Sequence, residues 1–450
     1  MSLSKLALDM ANKLRPVLTK IIPASVLSGV KARIVEKHVD NLKNVNIEPF
    51  DKNKNLRGVN LIGNIRGDNG LGQSMRLVAD ILAQSKEEFT INNFYVPPGG
   101  SMQDRSYDHK LTQTHPYGVN LIHVNASEFS LCYMDKGREL WDYRYNIAYW
   151  LWELEDFPEQ WLPNICLADE IWTPADFITN TLKKYTDKPV VTVPYCVTAP
   201  TDDAYDRKHF GLPEDKFLFL MMFDSGSVME RKNPLGTIES FKKAFRGDNE
   251  DVGIVIKINE LEQSERDIEY IHSILDGYDN IYIITGTFSK TEVNSLTKCV
   301  DVFVSLHRAE GFGLVLAEAM LVGTPTIATN WSANTEFMNS DVACMVDYKM
   351  IDIGKDIPPF KKEYRWADAD VNQAAEFMKR LYEDKEYYQG ISKRAEQYVR
   401  ERLSMDRSVK IVEDRLQEIY GQTRAVVSND HAADYISGSQ DNICRNEEKK

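Results

Sequence analysis

The chain reads HRAEGFGLVLAEAM from His307 to Met320, and this stretch sets Glu310 and Glu318 on either side of a glycine turn. The run Val302–Leu306 before it is short, apolar and β-branched, as expected of a buried parallel strand. The run Leu314–Met320 after it has the composition of a helix. Two glycines in the turn permit a close approach of a ligand to the backbone. The pattern predicts a strand, a turn and a helix, with Glu310 at the strand's C-terminal end.

Both carboxylates of this motif are positioned to meet a ligand. Ligands of open α/β sheets bind beyond the carboxyl ends of the strands, where a helix N-terminus offers free N–H groups and a positive dipole to phosphate. Glu318 falls one turn inside the helix among apolar neighbours, where a buried carboxylate needs donors such as sugar hydroxyls. The motif therefore predicts a site for a diphosphate and a sugar or ribose. The alternative is that Glu318 bonds a neighbouring loop and Glu310 is a solvated loop acid.

The motif resembles the E-x7-E signature of retaining GT-B glycosyltransferases. The match continues through Ser305–Leu314, Ala317–Met320 and Gly323–Asn334, in the order of a family 4-like subgroup of bacterial mannosyl- and rhamnosyltransferases. The resemblance covers residues 58–420 and implies an α/β protein of the GT-B fold, with two Rossmann-like domains that face each other across a cleft. It implies transfer of a sugar of the mannose or rhamnose type from a nucleotide sugar to a glycan or lipid-linked acceptor in polysaccharide assembly. It also implies retention of configuration, with no bound metal and no other cofactor.

The resemblance assigns roles to the residues of the motif. It implies that Glu310 contacts the transferred sugar and is a catalytic residue, and that Glu318 binds the ribose of the donor. The backbone N–H groups of the turn would stabilise the departing diphosphate, and they belong to Gly311, Phe312, Gly313 and Leu314. These residues are therefore candidate donor-binding residues.

Composition and length exclude several other classes of protein. A chain of 450 residues suits two α/β domains plus extensions. Its 54 basic and 68 acidic residues argue against broad nucleic-acid binding. No apolar run approaches the length of a membrane span. Six scattered cysteines without C-x-x-C spacing indicate reduced thiols and no zinc site. With no continuous apolar segment at the start, a cytoplasmic protein is expected.

The order of predicted elements divides the chain at about residue 200. Residues 58–200 alternate strands and helices and predict a Rossmann-like acceptor domain. Residues 201–400 repeat this alternation and predict a Rossmann-like donor-binding domain. By the resemblance, a helix within residues 401–422 crosses back to the first domain. The polar tail, residues 423–450, is expected to be disordered.

Residues 1–57 are expected to form a basic, amphipathic extension with helical character. The basic and apolar residues of positions 1–37 could bind an anionic membrane at its inner, cytoplasmic face, where many lipid-linked acceptors reside. A helical cap on the protein itself is the alternative, and the pattern slightly favours it.

Arg231 and Lys232 lie just before a predicted helix of the second domain. Two fixed cations at this point could neutralise a diphosphate leaving group. The resemblance assigns that role most directly to Lys232. Many relatives also carry an arginine right after the preceding strand, but this chain has Asp224-Ser225-Gly226 there, so the usual pair is incomplete. A solvated basic helix start is the alternative for both cations.

The turn Gly70-Leu71-Gly72 follows the first strand, so its backbone could approach a phosphate or an acceptor. It lacks the full G-x-G-x-x-G fingerprint, which disfavours a dinucleotide oxidoreductase. The resemblance places a similar turn and a following arginine in the cleft, making Gly72 a candidate for donor binding and Arg76 for acceptor binding. A turn needed only for packing is the alternative. His123 ends a predicted strand and is a catalytic candidate by resemblance, although a hydrogen-bonded core histidine is commoner.

Two further segments combine charged or aromatic side chains with strand ends. Lys257 interrupts an apolar strand and could reach the donor or only the mouth of the cleft. The segment Tyr149–Trp161 combines aromatic rings with carboxylates, which suits stacking on sugars and binding of their hydroxyls. Trp152 and Glu153 are therefore candidate acceptor-binding residues, and aromatic core packing is an equally good explanation.

A second functional hypothesis is a noncatalytic GT-B subunit that binds a sugar or a partner enzyme. The incomplete pair of cations supports this hypothesis, whereas the retention of both Glu310 and Glu318 opposes it.

Overall fold

The computed structural model describes residues 42, 45–96, 101–224, 228–259, 269–275 and 277–421. The predictions for residues 1–41, for Ser225-Gly226 and for the tail after residue 421 lie outside the described residues. Within these ranges, no helix combines the length and apolar character needed to cross a membrane.

A parallel sheet of six strands forms the N-terminal domain, in the order β2-β1-β3-β4-β5-β6. Its strands are β1 (Leu56–Gly63), β2 (Phe89–Asn93), β3 (Tyr117–His123), β4 (Tyr145–Tyr149), β5 (Glu170–Thr173) and β6 (Val190–Thr192). Its helices are α1 (Gly70–Gln84), α2 (Ala126–Lys136), α3 (Arg138–Trp141) and α4 (Asp176–Leu182), with 3-10 helices at Asp108–Lys110 and Glu159–Leu167. The sequence predicts these strands except β2, an edge strand whose polar FTINN pattern conceals it.

A second parallel sheet of six strands forms the C-terminal domain, in the order β12-β11-β10-β7-β8-β9. Its strands are β7 (Phe217–Asp224), β8 (Val252–Asn259), β9 (Ile281–Thr285), β10 (Val302–Ser305), β11 (Thr326–Thr329) and β12 (Cys344–Val346). Its helices include α5 (Met229–Lys232), α6 (Pro234–Ala244), α7 (Lys290–Cys299), α8 (Leu314–Leu321), α9 (Val371–Glu383) and α10 (Lys385–Arg402), with a 3-10 helix at Ala333–Glu336. The strand order reverses between β7 and β10, the position where such sheets bind ligands.

A two-stranded antiparallel hairpin follows the second sheet. It pairs β13 (Tyr348–Asp352) with β14 (Arg365–Ala369), and the sequence pattern does not predict it. The loop between these strands reaches the N-terminal domain, where the Phe360 and Trp152 rings lie 5.5 Å apart. Because β13 is exposed or only half-buried, its sequence lacks the continuous apolar run that reveals the parallel strands.

The last described helix, α11 (Met405–Gly421), returns to the N-terminal domain, which confirms the predicted helical C-terminal extension. Its buried residues Val412, Leu416 and Ile419 recur at helical spacing and join the same apolar core as α1. On this helix, Arg415 donates from Nε to Glu170 Oε1 at 2.8 Å and from Nη2 to Oε2 at 2.6 Å. Glu170 is fully buried, so α11 supplies its charge partner.

We expect Arg415→Met to lower the free energy of unfolding by about 3 kcal/mol, because it leaves the buried Glu170 carboxylate without its cation. Denaturant unfolding followed by far-UV circular dichroism measures this loss. Arg400→Met is the control, since Arg400 forms an exposed pair with Glu396 on α10 and its removal should cost less than about 0.5 kcal/mol. Equal effects of the two substitutions would contradict this account of α11.

Candidate donor-binding site

The strand, turn and helix predicted around Glu310 are present as β10, the following loop and α8. Gly313 immediately precedes α8 with φ +90°, a conformation that favours glycine. A Cβ added at this position would also lie 3.2 Å from Cδ1 of Leu316. A Cβ at Gly311 would lie 3.5 Å from the backbone oxygen of Trp152, so the turn faces the other domain. The glycines therefore shape the turn where it meets the cleft.

Glu310 lies in a cluster of charged side chains drawn from both domains. Its carboxylate pairs with the Lys232 ammonium, and its Oε2 lies 3.9 Å from Nη1 of Arg231. The same Nη1 donates to the Ala309 carbonyl at 2.9 Å and lies 3.7 Å from Oε1 of Glu153. The structure thus brings together four predicted site residues, three from the C-terminal domain and Glu153 from the N-terminal domain.

The charges of this cluster determine the protonation state of Glu310. Burial alone would raise the pKa of the Glu310 carboxyl, but the nearby Lys232 and Arg231 outweigh it and lower that pKa to about 2. Burial, assisted by Arg231, lowers the pKa of Lys232 although Glu310 opposes the shift. Glu310 is therefore an anion at neutral pH, and its charge is compensated before a ligand binds.

Ser332 fixes the backbone of Glu310 and has an unusual conformation. The Glu310 N–H donates to Ser332 Oγ at 3.0 Å. Ser332 has φ +78° and ψ −159°, a region that is almost confined to glycine. The neighbouring Asn334 side chain donates to the Thr329 carbonyl at 3.0 Å, and its Oδ1 lies 3.1 Å from Nε2 of the buried His307. These contacts hold the loop after β11 in a shape that supports Glu310.

Sequence reasoning did not assign roles to Ser332, Asn334 or His307. The first two lie in the Gly323–Asn334 segment that carries part of the family resemblance. The sequence signal that could have indicated a role for Ser332 and Asn334 is their position after β11, since the carboxyl ends of parallel strands meet at one edge of the sheet.

Glu318 lies on α8 with its side chain 4% exposed. Its Oε1 pairs with the Lys290 ammonium, whereas Oε2 has no hydrogen-bond partner among the described residues. Burial raises the pKa of Glu318 against the opposing effect of Lys290. The sequence did not predict Lys290, because its proximity to Glu318 depends on how α7 packs beside α8.

His123 lies at the end of β3 and is buried in a polar chain of the N-terminal domain. Its Nε2 lies 2.6 Å from Ser74 Oγ, which in turn contacts the Tyr195 hydroxyl. Its ring stacks on Tyr149 with centroids 4.9 Å apart, and burial lowers its pKa to about 4. Tyr195 meets the Phe312 ring at 4.9 Å, so this polar chain ends against the turn of residues 311–313 that precedes α8. His123 is therefore neutral, and the hydrogen bond and the ring stacking described for it are with Ser74 and Tyr149.

The first turn of the N-terminal domain is occupied by internal contacts. Arg76 donates to the carbonyls of Ile65 at 2.9 Å and Gly67 at 2.8 Å, and its Nε lies 3.4 Å from Asp104 Oδ2. A Cβ added at Gly72 would lie 2.0 Å from the Gly67 oxygen. The contacts observed for both residues are those of the packing alternative.

Trp152 and Lys257 are also buried. The Trp152 indole donates to the Asp156 carbonyl at 2.7 Å, and its ring meets Trp161 edge-on at 5.1 Å. Lys257 donates to Asn259 Oδ1 at 2.7 Å and lies over the Phe288 ring at 4.5 Å. The Trp152 side chain is thus part of an aromatic core, and Lys257 braces the ends of β8 and β9.

No group of three or more His, Cys, Asp or Glu side chains in the described part of the chain could hold a metal ion.

Residues 202–398 match the family model described as glycosyl transferases group 1. This segment contains the whole cluster around Glu310 and Glu318 except Glu153. A comparison with curated proteins found no match.

Solved structures with the same fold include the Anabaena protein HepE in complex with UDP and glucose, with a TM-score of 0.60 and 12% identity over 81% of this chain and 100% of that chain. Sucrose-phosphate synthase from Thermosynechococcus elongatus has a TM-score of 0.58 and 13% identity over 82% of this chain and 100% of that chain. A glycosyltransferase from Rickettsia africae has a TM-score of 0.55 and 12% identity over 84% of this chain and 100% of that chain. At this identity the likeness shows the fold, which is GT-B. The fold and the group 1 domain together support a GT-B glycosyltransferase.

We expect the Glu310 ion pair to stabilise the fold in a defined pH window. Because the pKa of Glu310 lies below its ordinary 4.5, the contribution is complete above pH 4.5 and is lost as the pH falls towards about 2. The free energy of unfolding of the wild type should exceed that of Glu310→Gln by about 3 kcal/mol at neutral pH. Near pH 2 the two free energies should differ little. Urea unfolding of both proteins across this range measures the difference. Glu396→Gln is the control, since Glu396 is exposed. A difference between wild type and Glu310→Gln that does not change with pH would contradict the stabilising role of the ionised Glu310.

We expect Ser332→Gly to be more stable than Ser332→Ala. Both remove the acceptor of the Glu310 N–H, but only alanine retains the steric strain of φ +78° and ψ −159°. The free energy of unfolding of Ser332→Gly should therefore exceed that of Ser332→Ala by about 1 kcal/mol, whereas glycine is usually the more destabilising of the two residues. Thermal unfolding compares the two, and an alanine variant as stable as the glycine variant would show that Ser332 is unstrained.

Proposed function

We propose that this protein is a retaining, metal-independent glycosyltransferase that uses a nucleotide-sugar donor. The observation that carries the proposal is the buried Glu310 carboxylate, held ionised by Lys232 and Arg231 at the turn that opens α8. A buried carboxylate whose charge is compensated in this way is available to accept hydrogen bonds from the hydroxyl groups of a sugar. HepE, which shares the fold, was solved in complex with UDP and glucose, and this adds support for a nucleotide sugar as donor.

The donor would span the turn and the helix that follows it. Backbone N–H groups of residues 311–314, at the positive end of the α8 dipole, are suited to the diphosphate. Lys232 reaches the same position, since it contacts Glu310 immediately before the turn. Oε2 of Glu318 has no hydrogen-bond partner in the described part of the chain, lies one turn further along the helix and is suited to the ribose. Phosphate, sugar and ribose would thus lie along one helix end.

The reaction would proceed on one face of the donor. The bond between the sugar C1 and the diphosphate oxygen breaks, and the departing nucleoside diphosphate takes the bonding electrons. The acceptor oxygen bonds to C1 from the same side, and its proton passes to the departing phosphate oxygen. Lys232 and the N–H groups of the turn stabilise the charge that develops on this phosphate. Glu310, compensated by its cations, holds the sugar through its hydroxyls and retains its own charge.

The finer substrate assignment follows from the family resemblance. The subgroup signature favours transfer of a sugar of the mannose or rhamnose type to a glycan or lipid-linked acceptor during polysaccharide assembly. Glu153, which lies across the cleft from Glu310 beside Arg231, is the proposed acceptor-side carboxylate. Contact of residues 1–37 with a membrane surface remains part of this proposal.

We expect Lys232→Met and Glu318→Ala each to reduce sugar transfer by about a hundredfold or more, because each removes a group that holds the charged donor. Ligand-observed NMR with a panel of nucleotide sugars selects the donor, and product analysis with that donor measures transfer. Lys243→Met is the control, since Lys243 is an exposed residue of α6 that pairs with Glu239.

Full transfer activity in both Lys232→Met and Glu318→Ala would contradict the assignment of donor-binding roles to these residues. Donor binding by the wild-type protein with no hydrolysis and no transfer would instead favour the noncatalytic GT-B subunit. Product stereochemistry, determined by NMR of the anomeric proton, tests retention separately from transfer.

A further inference from the structure

Glu318 is only half satisfied in the structure. One carboxylate oxygen pairs with Lys290, while the other is buried and has no hydrogen-bond partner among the described residues. A carboxylate can accept about four hydrogen bonds, and leaving a buried oxygen without one is costly. The free oxygen therefore marks a position where a donor group from a ligand would be stabilised.

Lys290 is held in place at the start of α7. The preceding Ser289 forms a capping box with Glu292, in which Ser289 Oγ accepts the Glu292 N–H at 3.2 Å and the Ser289 N–H donates to Glu292 Oε2 at 2.8 Å. This cap fixes the first turn of the helix. The Lys290 side chain remains 32% exposed while it contacts a carboxylate that is 4% exposed. Lys290 thus bridges the buried acid and the open side of the site.

We infer that Lys290 is a positioning residue of the donor site, which holds Glu318 as an acceptor for the ribose hydroxyls of a nucleoside diphosphate. The inference rests on the proposed function and adds a residue to the same site. Lys290 occupies Oε1 and leaves Oε2 to the ligand, so the two partners of Glu318 do not compete for one oxygen. The preference for ribose would then depend on a residue from the neighbouring helix.

Among the described residues, Lys290 is the charged side chain paired with Glu318, which makes its role testable through pH. Lys290 is the charged side chain that opposes the effect of burial on the pKa of Glu318. Helix α10, which also packs on α8, contributes the uncharged Ser392, whose Oγ donates to the Gly323 carbonyl. Removal of Lys290 would leave burial unopposed, so Glu318 would be protonated at a higher pH and would lose its negative charge as a hydroxyl acceptor.

The experiment measures binding of ribonucleoside diphosphates (UDP, GDP and ADP) and their 2′,3′-dideoxy analogues by titration calorimetry, from about pH 5.5 to about pH 9. Wild type should prefer the ribose form of its nucleotide by about tenfold or more at the alkaline end of this range. Lys290→Met should require a higher pH than wild type to reach the same preference. Lys290→Arg should keep it. Lys298→Met is the matched control, since Lys298 is on the same helix and pairs with the exposed Asp203.

Three results would overturn the inference. The first is an unchanged ribose preference in Lys290→Met, and the second is an equal loss of affinity for both nucleotide forms at every pH. The third is the absence of ribose preference in the wild-type protein. If the wild-type protein binds nucleotides with the expected preference but transfers no sugar, the catalytic proposal fails while the role of Lys290 stands. Absence of any nucleotide binding would overturn both.

Discussion

Keeping Glu310 ionised inside the C-terminal domain is the constraint on which the site depends. A buried carboxylate requires cations, and Lys232 and Arg231 supply them from the short helix that precedes α6. It also requires a fixed backbone, which Ser332 provides from the loop after β11 at the cost of a strained conformation. Residues from the short helix after β7 and from the loop after β11 thus stabilise one acid in the loop after β10. The strand order places these three segments together at one edge of the sheet.

The two domains meet through contacts of different kinds. Near the donor turn, the Tyr195 ring of the N-terminal domain lies against Phe312. Further away, Phe360 packs on Trp152, and Arg415 pairs with the buried Glu170. Aromatic contacts therefore join loops of the two domains, whereas the buried ion pair lies on the returning helix. The internal polar chain from His123 to Tyr195 links the core of the N-terminal domain to the turn that precedes α8.

Much of this fold could be predicted because parallel strands buried on both faces read as continuous apolar runs. The short polar edge strand β2 and the exposed hairpin strand β13 lack that signal and were missed. The charged motif around Glu310 was predicted from local sequence, since glycines and acids occupy a single loop. Lys290 and Ser332 could not be assigned in that way, because their roles depend on contacts between residues far apart in sequence. Lys290 contacts Glu318, 28 positions later, and Ser332 contacts Glu310, 22 positions earlier.

Because α11 returns to the first domain, the polypeptide crosses between the domains twice within residues 45–421, the ranges described above. Two covalent crossings confine relative motion more than a single linker does, since each restricts the other. The turn before α8 and the N-terminal domain are therefore tied together at two points of the chain, and any change in their separation has to be accommodated at both crossings.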